Sequence, residues 1–325
     1  MTTPPEHPLL DVAFGLRCEE FRTSPGFIGP NPKLRQVIHA DLQAAASGEI
    51  CAFRPEARLR GLALRWAHDN PYMGRRQERV VLSYRPGDAE AEAWALAFIE
   101  ARLDDFDDEL LMTLFPHQAA VRERMLAHPD FGVDSLIVVG AVDDALRTLK
   151  AEVDPQTMQR EGLVSMTFGS PHVPATVTLR EAVFRAQPEA CWFGADEAHL
   201  PGLQAALETA AAQEDPMHRA WMRHTALVAA LGCEEADHAL WGRSAGLDIV
   251  LAPALHGRGL VKLAYLELLQ RCHDRGIPTF YGSSSQPGVL GLGLRMGRQV
   301  CGLSMRRARL RPSDWFRPWL EAYAR

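Results

Sequence analysis

Residues 251–276 read LAPALHGRGLVKLAYLELLQRCHDRG and join two different sequence patterns. The apolar stretch that leads into them, DIVLAPA (residues 248–254), predicts the end of a β-strand. From residue 260 to residue 272, apolar side chains recur at the spacing of a helix with one buried face. Two glycines around an arginine, Gly257-Arg258-Gly259, separate the strand from the helix.

This glycine turn has two interpretations. It could be a plain connection between a strand and a helix. It could also be an anion site, because the first N–H groups of a helix have no partner within the helix and point at whatever lies there.

Composition and charge limit the function classes. The chain has 325 residues, 47% hydrophobic and 23% charged, and a net charge of −6. This is typical of a globular protein, and the negative charge argues against general nucleic-acid binding.

The six cysteines are scattered without a CxxC pair, which suits reduced thiols in a cytoplasmic protein. We find no signal peptide or membrane-length apolar run, and we expect no metal and no membrane partner.

Working outward from the turn, the two halves of the sequence have a similar order of elements. The stretches 80–132 and 249–297 have similar lengths and the same predicted β-α-β-α order. In the N-terminal half, DVAFGLRC (residues 11–18) predicts a strand. In the C-terminal half we predict a strand at 190–197 and a hairpin that turns at EEAD (residues 234–237). We infer a diverged duplication in which each copy is a mixed sheet with helices on both faces.

The strand, the turn and the helix together resemble the signature of the GNAT superfamily of acyl-CoA-dependent N-acyltransferases. That signature is a strand ending in V-x-P, followed by R/Q-G-x-G-x-G/A at the start of a helix. This chain has His256 in place of the usual Arg or Gln, and Val261 in place of the last Gly or Ala. The resemblance implies an α/β (α+β) fold of two GNAT-like mixed sheets in tandem. It implies an N-terminal domain at 1–185 without the cofactor motif and a C-terminal acyl-CoA-binding domain at 186–325.

The resemblance also implies the cofactor site. Acetyl-CoA would be the co-substrate, and the backbone N–H groups of the turn would hold its diphosphate. Leu251 would offer backbone groups to the pantetheine arm or the acyl carbonyl. The residues that would form the diphosphate site are His256, Gly257, Arg258, Gly259, Leu260, Val261 and Lys262. The N-terminal copy has Pro86 and two carboxylates at the matching position, which is unfavourable for a phosphate.

Acyl transfer to an amine needs a proton acceptor and help for the departing thiolate. Family members often place a carboxylate near the start of the signature strand, and here that residue is Asp248. Family members often use a tyrosine as the general acid that protonates the leaving thiolate, and the corresponding residue here is Gly293. The nearest substitute proton donors are Tyr281 and the serines at 283–285. Arg219, Arg223, His218 and His224 would suit an acceptor that carries a carboxylate or phosphate.

Two functions therefore stay open at this point. The first is an acetyl-CoA-dependent N-acetyltransferase that acts on a small-molecule or peptide amine. The second is a catalytically silent GNAT-like protein that binds acyl-CoA or another anion and acts as a regulator. The sequence identifies neither the acceptor, the acyl chain length nor the oligomeric state, and a homodimer is one option.

Overall fold

Both halves of the chain contribute strands to one mixed β-sheet. The structure is a computed structural model and describes residues 7–70, 74–106, 110–154, 156–186, 199–213, 215, 217–284 and 286–307. The strand predicted at 190–197 lies outside these residues. The elements of the N-terminal half are α1 (Leu10–Phe21), α2 (Pro32–Ala45), β1 (Glu49–Phe53), β2 (Gly61–Asn70), β3 (Arg75–Tyr84), α3 (Ala89–Glu100), β4 (Leu110–Leu114), α4 (Ala119–Ala127) and β5 (Phe131–Ala141).

The chain then crosses to the second half of the sheet. The elements that follow are α5 (Val142–Glu152), α6 (Thr157–Arg160), β6 (Leu163–Thr167), α7 (Val173–Ala186), α8 (Leu200–Ala212), β7 (Arg219–Arg223), β8 (Ala226–His238), β9 (Gly242–Leu251), α9 (Leu260–Asp274), β10 (Thr279–Ser284), α10 (Pro287–Arg295) and β11 (Gln299–Arg307). This mixed α/β architecture confirms the predicted fold class.

The two predicted sheets are joined through exchanged strands. The strand order is β1-β2-β3-β4-β11-β5-β10-β9-β8-β7-β6. Strand β11, from the end of the described chain, lies antiparallel between β4 and β5 of the first half. In return, β5 pairs with β10 of the second half. Each half therefore completes its sheet with a strand that belongs to the other half in sequence.

In both halves, two parallel strands pair over three residues and then separate, and we call each such separation a fork. The N-terminal fork lies between β3 and β4, and the C-terminal fork lies between β9 and β10. Strands β3 and β4 pair in parallel only over residues 78–80 and 110–112, after which β3 pairs only with β2 up to Tyr84. Strands β9 and β10 pair in parallel only over residues 244–246 and 279–281. Beyond these pairs the facing edges of the two strands no longer bond to each other, and each fork opens toward the helix that follows its longer strand.

The hydrophobic core follows the exchange of strands. One cluster joins α5, α9 and β10 and includes Leu146 and Leu149. A second cluster joins α3, α4 and β5 and includes Leu303 and Met305 from β11. The domain boundary at 185/186 stays a prediction, and residues on each side of it pack in the core of the other half.

Two sequence predictions are wrong. Residues 11–18 belong to helix α1 and not to a strand, because Ala13 and Leu16 fall on one helical face and are buried against α2 and β2. The predicted turn at residues 234–237 is instead the second half of the long strand β8, and the chain turns at residues 239–241. Polar residues continue a strand here because β8 stays paired with β9 up to His238 and Glu234 lines a large cavity.

In the part of the chain that the structure describes, no helix is long and apolar enough to cross a bilayer.

Candidate functional site

The glycine turn lies at the start of α9, with open space beside both of its glycines. Gly257 and Gly259 adopt φ values of +74° and +75°, a left-handed conformation that favours glycine. No atom lies within 4 Å of where a Cβ would stand on either residue. Gly259 is the N-cap of α9, and no side-chain hydrogen bond caps this helix. An anion can therefore approach the positive end of α9 directly.

Charged and polar side chains surround this turn. His256 Nε2 lies 3.0 Å from the carbonyl oxygen of Leu251, which ties the turn to the end of β9. Arg258 pairs with Glu161 at 2.9 Å, and Lys262 pairs with Glu152 at 2.6 Å. Both cations of the turn thus already contact carboxylates from the segment between β5 and β6.

The C-terminal fork opens into a cavity of about 1100 Å³. Leu247 and Asp248 of β9 and Gly282 and Ser283 of β10 line it, and these are the residues just past the last β9–β10 pair. The N-terminal half also contributes to the wall, with Arg17, Phe21, Lys33, Leu34, Val37, Arg79, Phe115 and Asp134 among the lining residues. The glycine turn follows the end of β9, the same strand that forms one side of this fork.

Asp248 lies at the mouth of the fork. It is the seventh residue of β9 and not near its start, because the strand begins at Gly242. Its carboxylate pairs with Arg180 of α7, and its side chain is 57% exposed. A Cβ placed on Gly232 would lie 3.4 Å from His218 Nδ1 and 3.7 Å from Asp248 Cβ, so these two residues flank one glycine. A carboxylate and an imidazole therefore stand close together in the cavity wall.

Tyr281 lies in an aromatic group beside the fork. The rings of His238 and Trp241 stack with their centroids 4.0 Å apart, and the Tyr281 ring is 4.9 Å and 5.0 Å from them. Burial lowers the pKa of His238 to about 4 and raises the pKa of Tyr281. At neutral pH both rings are therefore uncharged, and the group forms an apolar wall.

Two of the predicted acceptor-binding residues have structural partners. Arg219 donates to Ser165 at 3.1 Å and to Glu267 at 3.0 Å. Arg223 donates to the carbonyl and carboxylate oxygens of Glu161. Of the four residues predicted for this role, His218 lines the cavity.

The N-terminal fork differs from the C-terminal one because a side chain bridges it. Gln118 Nε2 donates to the carbonyl of Leu82 at 3.1 Å, and the N–H of Phe115 donates to Gln118 Oε1 at 3.0 Å. This amide links the two strands just beyond their last pair. Asp88 caps α3 by accepting from the N–H of Ala91 at 3.1 Å. A carboxylate of the chain itself thus takes the anion position at α3.

Sequence reasoning did not identify Arg180. Arg180 lies on α7, in a segment without a recognisable motif, and only the packing of α7 against β9 brings it to Asp248. Among the described residues, no group of three His, Cys, Asp or Glu side chains is arranged as metal ligands would be.

Comparison with known proteins gives similarity of structure but not of sequence. Neither a protein-family model nor a curated protein sequence matches the chain. A GCN5-related N-acetyltransferase from Sphaerobacter thermophilus has a similar structure, with a TM-score of 0.56 and 16% identity over 93% of this chain and 94% of that one. A GNAT-family acetyltransferase from Colwellia psychrerythraea gives a TM-score of 0.51 and 14% identity over 93% and 97% of the two chains.

A third similar structure is the glucosamine N-acetyltransferase region of a fungal multi-domain GH3 β-N-acetylglucosaminidase. It gives a TM-score of 0.55 and 14% identity over 93% of this chain and 37% of that one. At these identities the likeness concerns the fold. The resemblance inferred from the glycine turn is confirmed at this level: the chain has the fold of the GCN5-related N-acetyltransferases.

Proposed function

We propose that the chain is an acyl-CoA-dependent N-acyltransferase, with acetyl-CoA as acyl donor and an amine as acceptor. The observation that carries the proposal is the arrangement along β9: its unpaired edge forms one side of a fork that lines the cavity, and the strand leads into the glycine turn at the start of α9. The turn suits a diphosphate, because it lies at the positive N-terminus of α9, which no side chain caps, and both glycines adjoin open space. Coenzyme A, when bound, supplies the acyl group as a thioester.

Each part of this arrangement has a role in the proposal. The residues from Gly257 to Lys262 bind the diphosphate, and the unpaired edge of β9 up to Leu251 binds the pantetheine arm. Asp248 accepts the proton from the attacking amine, since it lies where the fork meets the cavity. Arg180 holds the Asp248 carboxylate in place. Tyr281 forms part of the apolar wall and contributes little to proton transfer.

The alternative is a protein that binds acyl-CoA without turnover. Three observations favour it: the Val261 side chain at the turn, the absence of a tyrosine at Gly293, and the carboxylates already paired with Arg258 and Lys262. The two functions differ in one measurement. Incubation with acetyl-CoA and a panel of amines releases free thiol if the chain is an enzyme. Binding of coenzyme A without acylation of any amine would support the alternative.

We predict one coenzyme A per chain. The C-terminal fork and turn are accessible, whereas Gln118 bridges the N-terminal fork and Asp88 caps its helix. The hydrogen bond from Arg60 lowers the pKa of Asp88, so the carboxylate at the N-terminus of α3 is ionised at neutral pH and repels a diphosphate. Isothermal titration calorimetry should give a stoichiometry of one. Two equivalent sites per chain would contradict the assignment.

We also predict that Glu152→Gln tightens coenzyme A binding about two- to fivefold, the scale of a surface ion pair. The change removes a carboxylate that competes with the diphosphate for Lys262. Glu100→Gln is the matched control, because Glu100 pairs with Arg124 on the surface of the other half. Equal affinities of the two variants would remove Lys262 from the diphosphate site.

A further inference from the structure

Arg298 is a buried cation without a carboxylate partner among the described residues. It directly precedes β11 and is 5% exposed. Its Nη1 donates to the Tyr265 hydroxyl at 3.3 Å, its Nη2 donates to the Val138 carbonyl at 3.2 Å, and its Nε has no hydrogen-bond partner. Burial lowers its pKa, but a guanidinium in a protein stays protonated. A buried charge is costly unless it is paired, so an anion that binds beside this guanidinium would be stabilised.

The guanidinium lies at the base of the C-terminal fork. Gly282 is the first residue of β10 beyond the last β9–β10 pair. A Cβ on Gly282 would stand 3.1 Å from Arg298 Nη2 and 3.6 Å from the carbonyl oxygen of Leu247. The Arg298 guanidinium and the Leu247 carbonyl oxygen therefore both lie near the point where a side chain on Gly282 would begin. Glycine at 282 leaves that point free.

Arg298 also fills the space in front of Gly293. A Cβ on Gly293 would lie 3.2 Å from Arg298 Cδ and 3.6 Å from its Nη1. A side chain at position 293 would therefore project into the volume that the arginine now occupies. The absence of a tyrosine at position 293 and the burial of Arg298 are therefore linked, because the two side chains would occupy the same space.

We propose that Arg298 is a catalytic residue that stabilises the thiolate released from coenzyme A. This inference rests on the proposed acyltransferase function. In the step concerned, the amine nitrogen forms a bond to the thioester carbonyl carbon and the carbon–sulfur bond breaks. The electron pair of that bond stays on sulfur, where it faces the guanidinium. The proton of the nitrogen goes to Asp248 and later to solvent, the released thiolate takes a proton from solvent, and the products are an amide and the free thiol.

The experiment measures the ionisation of the thiol of coenzyme A bound to the full chain. The probes are coenzyme A and desulfo-coenzyme A, titrated by calorimetry across neutral and alkaline pH, with the ultraviolet absorbance of the thiolate as a second readout. A guanidinium in contact lowers the pKa of the bound thiol by about one unit or more. Coenzyme A should then gain about tenfold in affinity over the desulfo analogue as pH rises.

Arg298→Met and Arg298→Lys separate charge from packing. The Met variant should bind both probes equally at every pH, whereas the Lys variant should keep part of the thiolate preference because it keeps the charge. Gly282→Ala tests the same contact in a chain that retains Arg298, since its Cβ would displace Nη2, and it should reduce the preference.

The outcomes distinguish this inference from the proposed function. If coenzyme A binds and its thiol ionises identically in the wild-type chain and in a folded Met or Gly282→Ala variant, Arg298 has a structural role only and the inference fails. If the wild-type chain binds neither probe, the acyltransferase proposal itself fails.

Discussion

Replacing Gly259 with Asp should reduce coenzyme A affinity by about a hundredfold or more while the chain stays folded. The change puts a negative charge at the N-cap of α9, where we place the diphosphate. Two unit charges about 4 Å apart repel by about 4 kcal/mol at the effective dielectric of a protein surface, which is enough for such a loss. Calorimetry with coenzyme A measures the effect, and thermal unfolding checks the fold.

Gly259→Asn is the matched control for this change. Gly259 has a φ of +75°, a conformation that Asn and Asp tolerate better than other non-glycine residues, and a Cβ there meets no atom within 4 Å. The Asn variant carries the same conformational cost without the charge and should lose little affinity. If the Asp and Asn variants bind coenzyme A as tightly as the wild type, the diphosphate does not lie at this turn.

Replacing Asp248 with Asn should lower the acylation rate at neutral pH by about 10²–10⁴-fold, the usual contribution of a positioned general base. Part of the rate should return at higher pH, because the amine acceptor is then deprotonated by solvent before it attacks. The measurement is free thiol release from acetyl-CoA with a fixed amine across a pH series. Coenzyme A affinity should change little, since Asp248 lies at the cavity end of the fork.

Two control variants test this assignment. Asp237→Asn removes the same charge from the neighbouring strand β8, on the opposite face of the sheet from Asp248, and should leave the pH profile unchanged. Tyr281→Phe should also cost little, because its hydroxyl lies in the apolar aromatic group. A loss of turnover in Tyr281→Phe together with an unchanged rate in Asp248→Asn would reverse the roles of the two residues.

The parts of the fold that depend on local sequence could be predicted. The strand β9, the glycine turn and helix α9 follow from periodicity and from two glycines, and the structure has them in that order. Gly257 and Gly259 both need positive φ, so the sequence signal there is a direct consequence of backbone sterics.

The parts that depend on distant contacts could not be predicted. The bond of Asp248 to Arg180 needs the packing of α7, and the burial of Arg298 needs the exchange of β11. Residues 11–18 alternate enough to resemble a strand, and only burial against α2 selects the helix. Pairing of β4 with β11 joins segments that are far apart in the chain, so no local pattern indicates it.

The exchanged strands also impose an order on biosynthesis. Strand β4 leaves the ribosome long before β11, and at about 5–20 residues per second the interval is on the order of ten to forty seconds. During that time the first half lacks the strand that separates β4 from β5, and both of these strands have open edges. The first half therefore cannot complete its sheet during translation before β11 has been made. The nascent first half has to be kept from pairing with other chains until β11 emerges and closes the sheet.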